Sequence, residues 1–503
     1  MTKSEIIRIL NRIEHRLPVA EWHSAGVPVW PFIRFEVYGT NFNPTFAAQG
    51  LEGGWRNKLW AVGRGLSAWA LAVVRDVRAS SRIAEPADVV FLATSIGRFP
   101  LLEGRRYNPL LAPYVALLTS LGRRCLTWEV APSGHYNIPR HTPSVLIQPT
   151  WLFSRAVNAI RSHTQVQAHL PGHYAFLAML EEEGLRTRYA DIRSIRRDAE
   201  FVRTLSGRFQ RWLTRIDPEL GIVSDASLRD QAFILACRNL GVTTIELQHG
   251  VQGPLHPSYG SWEAVPPQGY RTKPSIYWCW DAPSADAINQ WAARTGGAHQ
   301  AIIGGDAWRQ IWLEPANPVV KATDDLIQRA MAQKGAARHM LISLDTIGDL
   351  VPSRVLEMMR KAPPSWCFWL RLHPIDAVQR LPELERIVTD ARIASMPPRW
   401  VAELPLHGIL RHVDAHLTTA WSSVVLDASA FNVRSMACSP EASAVYPAEI
   451  ASGMLRIVES SADMLSAMET MPRPEAIYTA QQAAPTCIAV MQDLLSTRRR
   501  NPT

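Results

Sequence analysis

The stretch Leu220–Gly250, LGIVSDASLRDQAFILACRNLGVTTIELQHG, is where the fold becomes legible. Leu220–Ser224 is a short apolar run, Ser227–Asn239 reads as helix, and Thr243–Leu247 is a second strand-like run ending at Gln248-His249-Gly250. Strand, helix, strand in that order is a parallel βαβ unit, because parallel neighbours need a crossover of a dozen or more residues. Two polar clusters, Ser224-Asp225-Ala226-Ser227 and Gln248-His249-Gly250, fall just past the strands. Ligands of open α/β sheets bind at those carboxyl ends.

The same grammar extends in both directions. Towards the N-terminus, a strand over Asp88–Ala93 leads into a Gly/Arg-rich loop (Thr94–Asn108), a helix over Ala112–Leu121 and a strand over Cys125–Val130. Towards the C-terminus come a strand over Ser275–Trp280, a helix over Ala285–Arg294, and Ala301–Ile303 running into Gly304-Gly305. Trp312–Asp325 holds two prolines and loses apolar periodicity, which predicts a linker. A second α/β series follows: His339–Leu344, Trp366–Leu372 ending at His373-Pro374, and Ala415–Thr419 just before Ser422. Before Ala84 the chain reads as mostly helical, interrupted at Pro28 and Pro31, and a last helix runs from about Glu475 to Arg498. The expected domains are a helical region over 1–84, a first Rossmann-like domain over 85–315, a second over 326–474, and a terminal segment over 475–503. Two such α/β domains in succession imply a cleft between the carboxyl ends of their sheets.

Composition bounds the function. The chain has 503 residues, enough for two cores, with 47% apolar and 19% charged residues and a net charge of +8. That charge favours anionic partners, but there is no zinc-finger spacing, RNA-binding aromatic signature or basic arm, so nucleic acid is not expected. The six cysteines lie scattered in mostly apolar runs and read as buried free thiols, which suits a reducing compartment. The most apolar early stretch, Leu66–Val74, is far shorter than a membrane span. Arg56, Lys58, Arg64, Arg75 and Arg78 flank it. Two readings stay open for it: an amphipathic helix packed on the protein body, or a helix lying on an anionic membrane through its Trp60 and Trp69 side.

Several residues could carry chemistry. Pro374 holds His373 in the extended region at a strand end, where an imidazole can donate to a phosphate oxygen. For that dipeptide alone, a strand-end histidine capping a loop is the simpler account. Thr418-Thr419-Ala420-Trp421-Ser422-Ser423 precedes an apolar helix over Val424–Phe431. Hydroxyls and unpaired amides at a first turn make an anion site, although Ser422 as a plain N-cap is the simpler account. Asp225 could accept helix amides, or present a carboxylate to a ligand as nucleophile or general base. Gly250 would let the backbone turn sharply after His249. No Asp-x-Asp occurs, so a metal-bridged diphosphate has no obvious carrier, and no Gly-x-Gly-x-x-Gly follows a strand.

Taken together the clusters resemble a known group. His373-Pro374 with Ser422-Ser423 resembles the HP and S/TS motifs of bacterial sialyltransferases and capsule Kdo transferases, where they bind CMP. Gln248-His249-Gly250 resembles the QHG segment of capsule and O-antigen β-Kdo transferases, and Trp22–Arg34 (WHSAGVPVWPFIR) is similar to their opening. The resemblance implies an α/β GT-B fold, two Rossmann-like domains facing each other across a cleft, with an extra N-terminal helical region and a terminal helix crossing back to the first domain. It implies a metal-independent, cofactor-free, cytoplasmic glycosyltransferase using a CMP-sugar donor, Kdo first, and a glycan or lipid-linked oligosaccharide acceptor. Peripheral contact with the inner membrane or a polysaccharide-assembly complex would accompany it. Asp225 matches the proposed nucleophile of the retaining enzymes, with His249 assisting at the catalytic centre. The donor would be held by His373, Pro374, Ser422, Ser423, Thr419, Arg371, Gln248 and Gly250. Arg98, Arg105 and Arg106 would draw in an anionic acceptor. Two alternatives remain: an inverting transferase of sialyl or CDP-glycerol type, with Asp225 as base, and a non-catalytic GT-B-like scaffold.

Overall fold

The computed structural model describes residues 1–42, 55–75, 83–95, 100–131, 136–161, 168–345, 348–373, 380–472, 474 and 486–500, with backbone alone at 55–62, 75, 156–161 and 497–500. The chain divides into two compact units: Met1–Ser95, Leu110–Gly305 and Pro485–Thr503 form one, and Ile96–Pro109 with Asp306–Ala484 form the other. The helix Cys487–Arg500 belongs to the first unit.

The first unit is built on β1 (Val89–Thr94), β2 (Cys125–Val130), β3 (Val145–Leu146), β4 (Leu220–Val223), β5 (Thr243–Leu247), β6 (Ile276–Cys279) and β7 (Gln300–Ile303). All seven pair in parallel, in the order β3-β2-β1-β4-β5-β6-β7. The inner strands β1 and β4 to β6 are almost entirely buried, which is why they read as unbroken apolar runs rather than alternating ones. β4 carries Gly221 because the helix Leu228–Asn239 lies so close. A Cβ there would come within 2.6 Å of Cys237 Sγ and 3.1 Å of the Phe233 ring. That helix is buried from Arg229 to Cys237. It is covered by a long helix, Ile192–Ile216, whose inward stripe is Ile195, Ala199, Val202, Phe209 and Leu213.

The sequence pattern singled out no element between Val130 and Leu220, and the structure fills this interval with β3 and the helices Gln148–Arg161, His173–Glu182 and Ile192–Ile216. At the N-terminus, Lys3–Arg16 opens with a Thr2/Glu5 capping box. Pro31 does not interrupt a helix as expected. It sits in the first turn of Trp30–Phe42, where a missing N–H costs nothing. Pro28 lies in a two-residue strand paired with His23–Ser24.

The second unit holds β8 (Arg338–Leu344), β9 (Trp366–Leu372), β10 (Ala415–Thr418), β11 (Ser435–Ala437) and β12 (Leu455–Ile457), parallel in the order β9-β8-β10-β11-β12. The expected linker Trp312–Asp325 is largely helical. Asn317 caps a helix over Pro318–Lys334, its side chain accepting from Val319 N–H at 3.0 Å, with Pro318 at the first position. The two prolines were misleading because one of them starts a helix. The loop after β1 contains a hairpin, Leu101–Leu102 with Arg105–Arg106, turning at Glu103 and Gly104, both with positive φ. It joins the second unit, where Tyr107 stacks on Trp308 at 4.6 Å.

Arg34 is wholly buried and gathers distant parts of the first unit. Its guanidinium donates to Glu14 at 2.8 Å, to Asn11 at 3.2 Å, and to the backbone oxygens of Ser261 (2.9 Å) and Pro257. Glu14 in turn accepts from Trp30 Nε1 at 2.8 Å and Glu263 N–H at 2.6 Å. Removing one partner of such a pair strands the other charge in a dry interior. Arg34→Leu is therefore expected to cost about 3–5 kcal/mol in urea unfolding, and Arg34→Leu with Glu14→Leu to cost less than the single change.

Candidate functional site

In the first unit the strand order reverses at β1, whose neighbours are β2 on one side and β4 on the other. Crossovers leave such a point in opposite directions, so the strand ends there open a crevice. Asp225 stands one residue past Ser224 at the end of β4. Its side chain is 43% exposed and lies 3.9 Å from Arg229 Nη2. Arg229 is itself buried and grips the fully buried Asp230 at 2.6 Å. The Ser227 hydroxyl also donates to Asp230, so Ser227 holds the N-cap position without capping a backbone amide. Asp230 and Arg229, which the sequence reading passed over, thus form the floor beneath Asp225. Burial raises the Asp230 carboxyl to about 6 despite the Arg229 charge.

β5 delivers the second group. His249 is half-buried. Burial lowers its basicity while the Asp225 charge raises it, and the net direction is down. His256 is held near the Tyr259 ring at 4.4 Å, its Nδ1 accepting from Ser258 N–H at 3.1 Å. Burial, with the His249 and Lys273 charges, pushes it well below the usual histidine range. Below these rings the Tyr259 hydroxyl donates to buried Glu246, and Lys273 Nζ donates to Ser258 O at 2.9 Å. Burial raises the Glu246 carboxyl to about 8 and lowers Lys273 to about 8.

The buried Gln248 carboxamide donates to Gly250 O (2.9 Å) and Ser284 Oγ (3.1 Å) and accepts from Trp280 N–H at 2.7 Å. It fixes the turn. Gly250 is not required by a tight turn: its φ lies outside the left-handed region and a Cβ would meet open space. The demanding glycine is Gly260, where a Cβ would fall 2.1 Å from Gly253 O.

The second sheet reverses between β8 and β10. Thr419 stands at that point, its N–H bonded to Ser343 O at 3.1 Å and its hydroxyl accepting from Asp345 N–H at 2.9 Å. Ser422 Oγ accepts from Val424 N–H at 3.4 Å, and its carbonyl accepts from the Tyr446 hydroxyl at 2.6 Å. Ser423 has helical φ and ψ, and its hydroxyl makes no hydrogen bond among the described residues. The amides of Val425 and Leu426 bond to Ser422 O and Ser423 O, so the first turn of Val424–Ala430 offers fewer donors than expected. His373 is exposed directly after β9, and Pro374 lies outside the described residues. The Arg371 Nη1 donates to Val401 O (2.7 Å) and Leu404 O (2.9 Å), tying the end of helix Pro398–Glu403 to β9. Burial lowers it to about 10. Arg98 lies outside the described residues. Arg105 and Arg106 sit on the hairpin of the second unit, where Arg106 pairs with Glu403 at 3.1 Å.

Beneath this half, Asp306, His407 and Asp427 have ligand atoms within 4.8 Å of one another. Arg309 already supplies the cation: it donates to Asp427 at 3.0 and 2.8 Å and lies 3.9 Å from Asp306. His407 Nε2 adds a contact to Asp427 at 3.2 Å. The group reads as an ion-pair network that seats the helix following Ser422-Ser423.

No protein-family model and no curated protein matches the chain. Among solved structures, the chain is similar to an S. aureus MnaA–UDP co-structure, at 11% identity and TM-score 0.47, covering 82% of this chain and 96% of that one. It is also similar to Methanocaldococcus jannaschii UDP-GlcNAc 2-epimerase in complex with UDP-GlcNAc and UDP, at 10% identity and TM-score 0.43, covering 81% and 99%. A third is the wall teichoic acid polymerase TagF, at 8% identity and TM-score 0.39, covering 83% and 89%.

The Asp427 network makes a pH prediction. Burial alone would raise the Asp427 carboxyl, but Arg309 and His407 bring it down to about 2, below its ordinary 3.8. A depressed carboxyl contributes stability above its unfolded pKa and loses it as pH falls through the folded one. The stabilisation, about 2 kcal/mol, should therefore be present above pH 4 and vanish between about pH 4 and 2. Urea unfolding across that range is expected to show Asp427→Asn less stable near neutrality and less sensitive to acid.

Proposed function

We propose that the chain is a nucleotide-sugar-dependent glycosyltransferase of the two-domain GT-B type, acting in bacterial surface-polysaccharide synthesis. The donor is a CMP-activated ulosonic acid, Kdo first, and the acceptor a glycan or lipid-linked oligosaccharide. One observation supports this best. Each parallel sheet reverses strand order once, and beside each reversal stands a residue already marked by its motif: Asp225 after β4, and Thr419 with Ser422 and Ser423 after β10. Reversals of this kind are where open α/β sheets take ligands.

On this reading the second unit holds the donor phosphate through His373, Ser422, Ser423 and Thr419, with Arg371 shaping the strand end. The first unit carries out the sugar chemistry. The Asp225 carboxylate attacks the anomeric carbon, and the bond from that carbon to the CMP phosphate oxygen breaks with its electron pair leaving on phosphate. An acceptor hydroxyl then displaces Asp225 and gives up its proton. His249 can receive that proton, because burial favours its neutral form. The phosphate is already a stable anion, so positioning and electrostatic shielding are the main work. The reaction so written needs neither metal nor cofactor and runs in the cytoplasm.

Two measurements test it. In a thermal-shift panel of CMP, CDP, UDP and GDP, CMP is expected to stabilise the protein most, and His373→Ala to abolish that shift. A preference for UDP or GDP sinks the donor assignment. Intact mass spectrometry after incubation with CMP-Kdo and no acceptor is expected to show one added ulosonic acid, lost in Asp225→Asn. CMP binding and turnover with no adduct would favour an inverting route with Asp225 as base.

A further inference from the structure

The small sheet formed by Val27–Pro28, His23–Ser24 and Ala168–His169 has two faces of opposite character. Side chains alternate across a strand, so Ser24, Val27 and Ala168 share one face and Pro28, His23 and His169 the other. Ser24 and Val27 are buried, whereas both histidines are exposed. The outer row therefore sets two imidazoles directly opposite each other, with Pro28 on the far side of His23. The chemistry proposed above uses neither ring.

The ring geometry suits a metal ion. The His23 and His169 ring centres lie 5.1 Å apart, with their planes tilted by 33°. Two imidazoles that each give one nitrogen to a tetrahedral zinc, at about 2.0–2.1 Å, hold their ring centres about 5 Å apart. The tautomer fits as well. His23 Nδ1 lies 2.9 Å from Glu21 O, and a carbonyl oxygen can only accept, so Nδ1 carries the proton. In the neutral ring the Nε2 lone pair is then left for an ion. Metal-binding histidines are oriented in this way, by giving their other ring proton to a carbonyl or carboxylate. His169 makes no hydrogen bond among the described residues.

The donors name the class of ion. Imidazole nitrogens suit zinc, copper and nickel, whereas calcium and magnesium take oxygen ligands. No carboxylate or thiol joins the two rings in a group of three among the described residues, so water completes the coordination. Without an ion the row is a poor pairing, because protonated imidazoles directly opposite each other repel. With one it becomes a cross-link. The strands it would join are two residues long and offer little ladder of their own. They are also far apart in sequence, and a clip that closes a long stretch of chain removes the most freedom from the unfolded state.

We infer that His23 and His169 form a surface site for a divalent transition metal of the zinc class, which clamps the strand Ala168–His169 to the hairpin His23–Pro28. The ion is structural and stands apart from the reaction proposed above. Calorimetric titration of the full, untagged chain with zinc chloride, after stripping with EDTA and dialysis, tests it. One zinc ion per chain is expected to bind, and saturating zinc to raise the melting temperature. His23→Asn and His169→Asn are each expected to weaken binding about tenfold or more, and the double change to cost no more than either alone. Both side chains are exposed, so the metal-free melting temperature and the CMP shift should stay those of the wild type. Cupric ion is a second probe: its electron paramagnetic resonance spectrum should show two imidazole nitrogens in the wild type and fewer in either variant. Absence of zinc binding by the wild type would overturn the proposal. So would zinc binding that survives the double change, which would mark an adventitious ion only, held at another of the chain's histidines.

Discussion

The buried Arg34–Glu14 pair is the constraint on which the candidate site of the first unit rests. The chain between β5 and β6 runs from Gln248 to Ser275 with no helix or strand of its own, yet it bears His249, His256 and Tyr259. A connection that long would ordinarily sample many conformations. Arg34 prevents this by taking the carbonyls of Pro257 and Ser261 into its fork, while Glu14 takes the amides of Glu263 and Ala264. Two N-terminal helices act as a splint for a loop more than two hundred residues away. The tryptophan-rich opening of the chain belongs to the same device: Trp22 donates to Pro171 O at 2.8 Å and meets Trp30 edge to face.

Indoles complete that clamp. Lys273 lies over the Trp262 ring at 4.7 Å, and Arg34 over the same ring at 4.5 Å, so one indole seats two buried cations. Trp291 Nε1 reaches Tyr259 O at 2.7 Å and holds the loop from the other side. The Tyr259 hydroxyl on Glu246 then joins the loop to β5 itself. The residues that read as motif and those that read as packing are parts of one hydrogen-bonded body.

Much of the sheet framework was legible because buried parallel strands are written as uninterrupted apolar runs, and Thr243–Leu247 and Trp366–Leu372 are read to the residue. Prolines were the main source of error. Pro31 and Pro318 read as breaks in sequence, whereas each opens a helix, and in the second case Asn317 directly before it is the available signal. The site was legible as positions and not as roles. A strand-end glutamine or arginine carries no mark saying which partners its donors will find: Gln248 donates to Gly250 O and Ser284 Oγ, and Arg371 Nη1 to the carbonyls of Val401 and Leu404. Asp230 and Arg229 escaped notice because a helix buried on every side lacks the polar face that would make a charged residue stand out. The hairpin's membership of the second unit depends on contacts hundreds of residues apart, which no local pattern encodes.

The path of the chain has a consequence for how this protein can be divided. It leaves the first unit at Ser95, returns at Leu110, leaves again at Gly305 and returns at Pro485. Neither unit is a continuous segment, and a single cut at any one of these crossings divides the first unit between two fragments. The two bodies are inherited together, translated as interleaved text, and any rearrangement by gene fusion or truncation must move the whole chain or leave a piece of one unit stranded on the other.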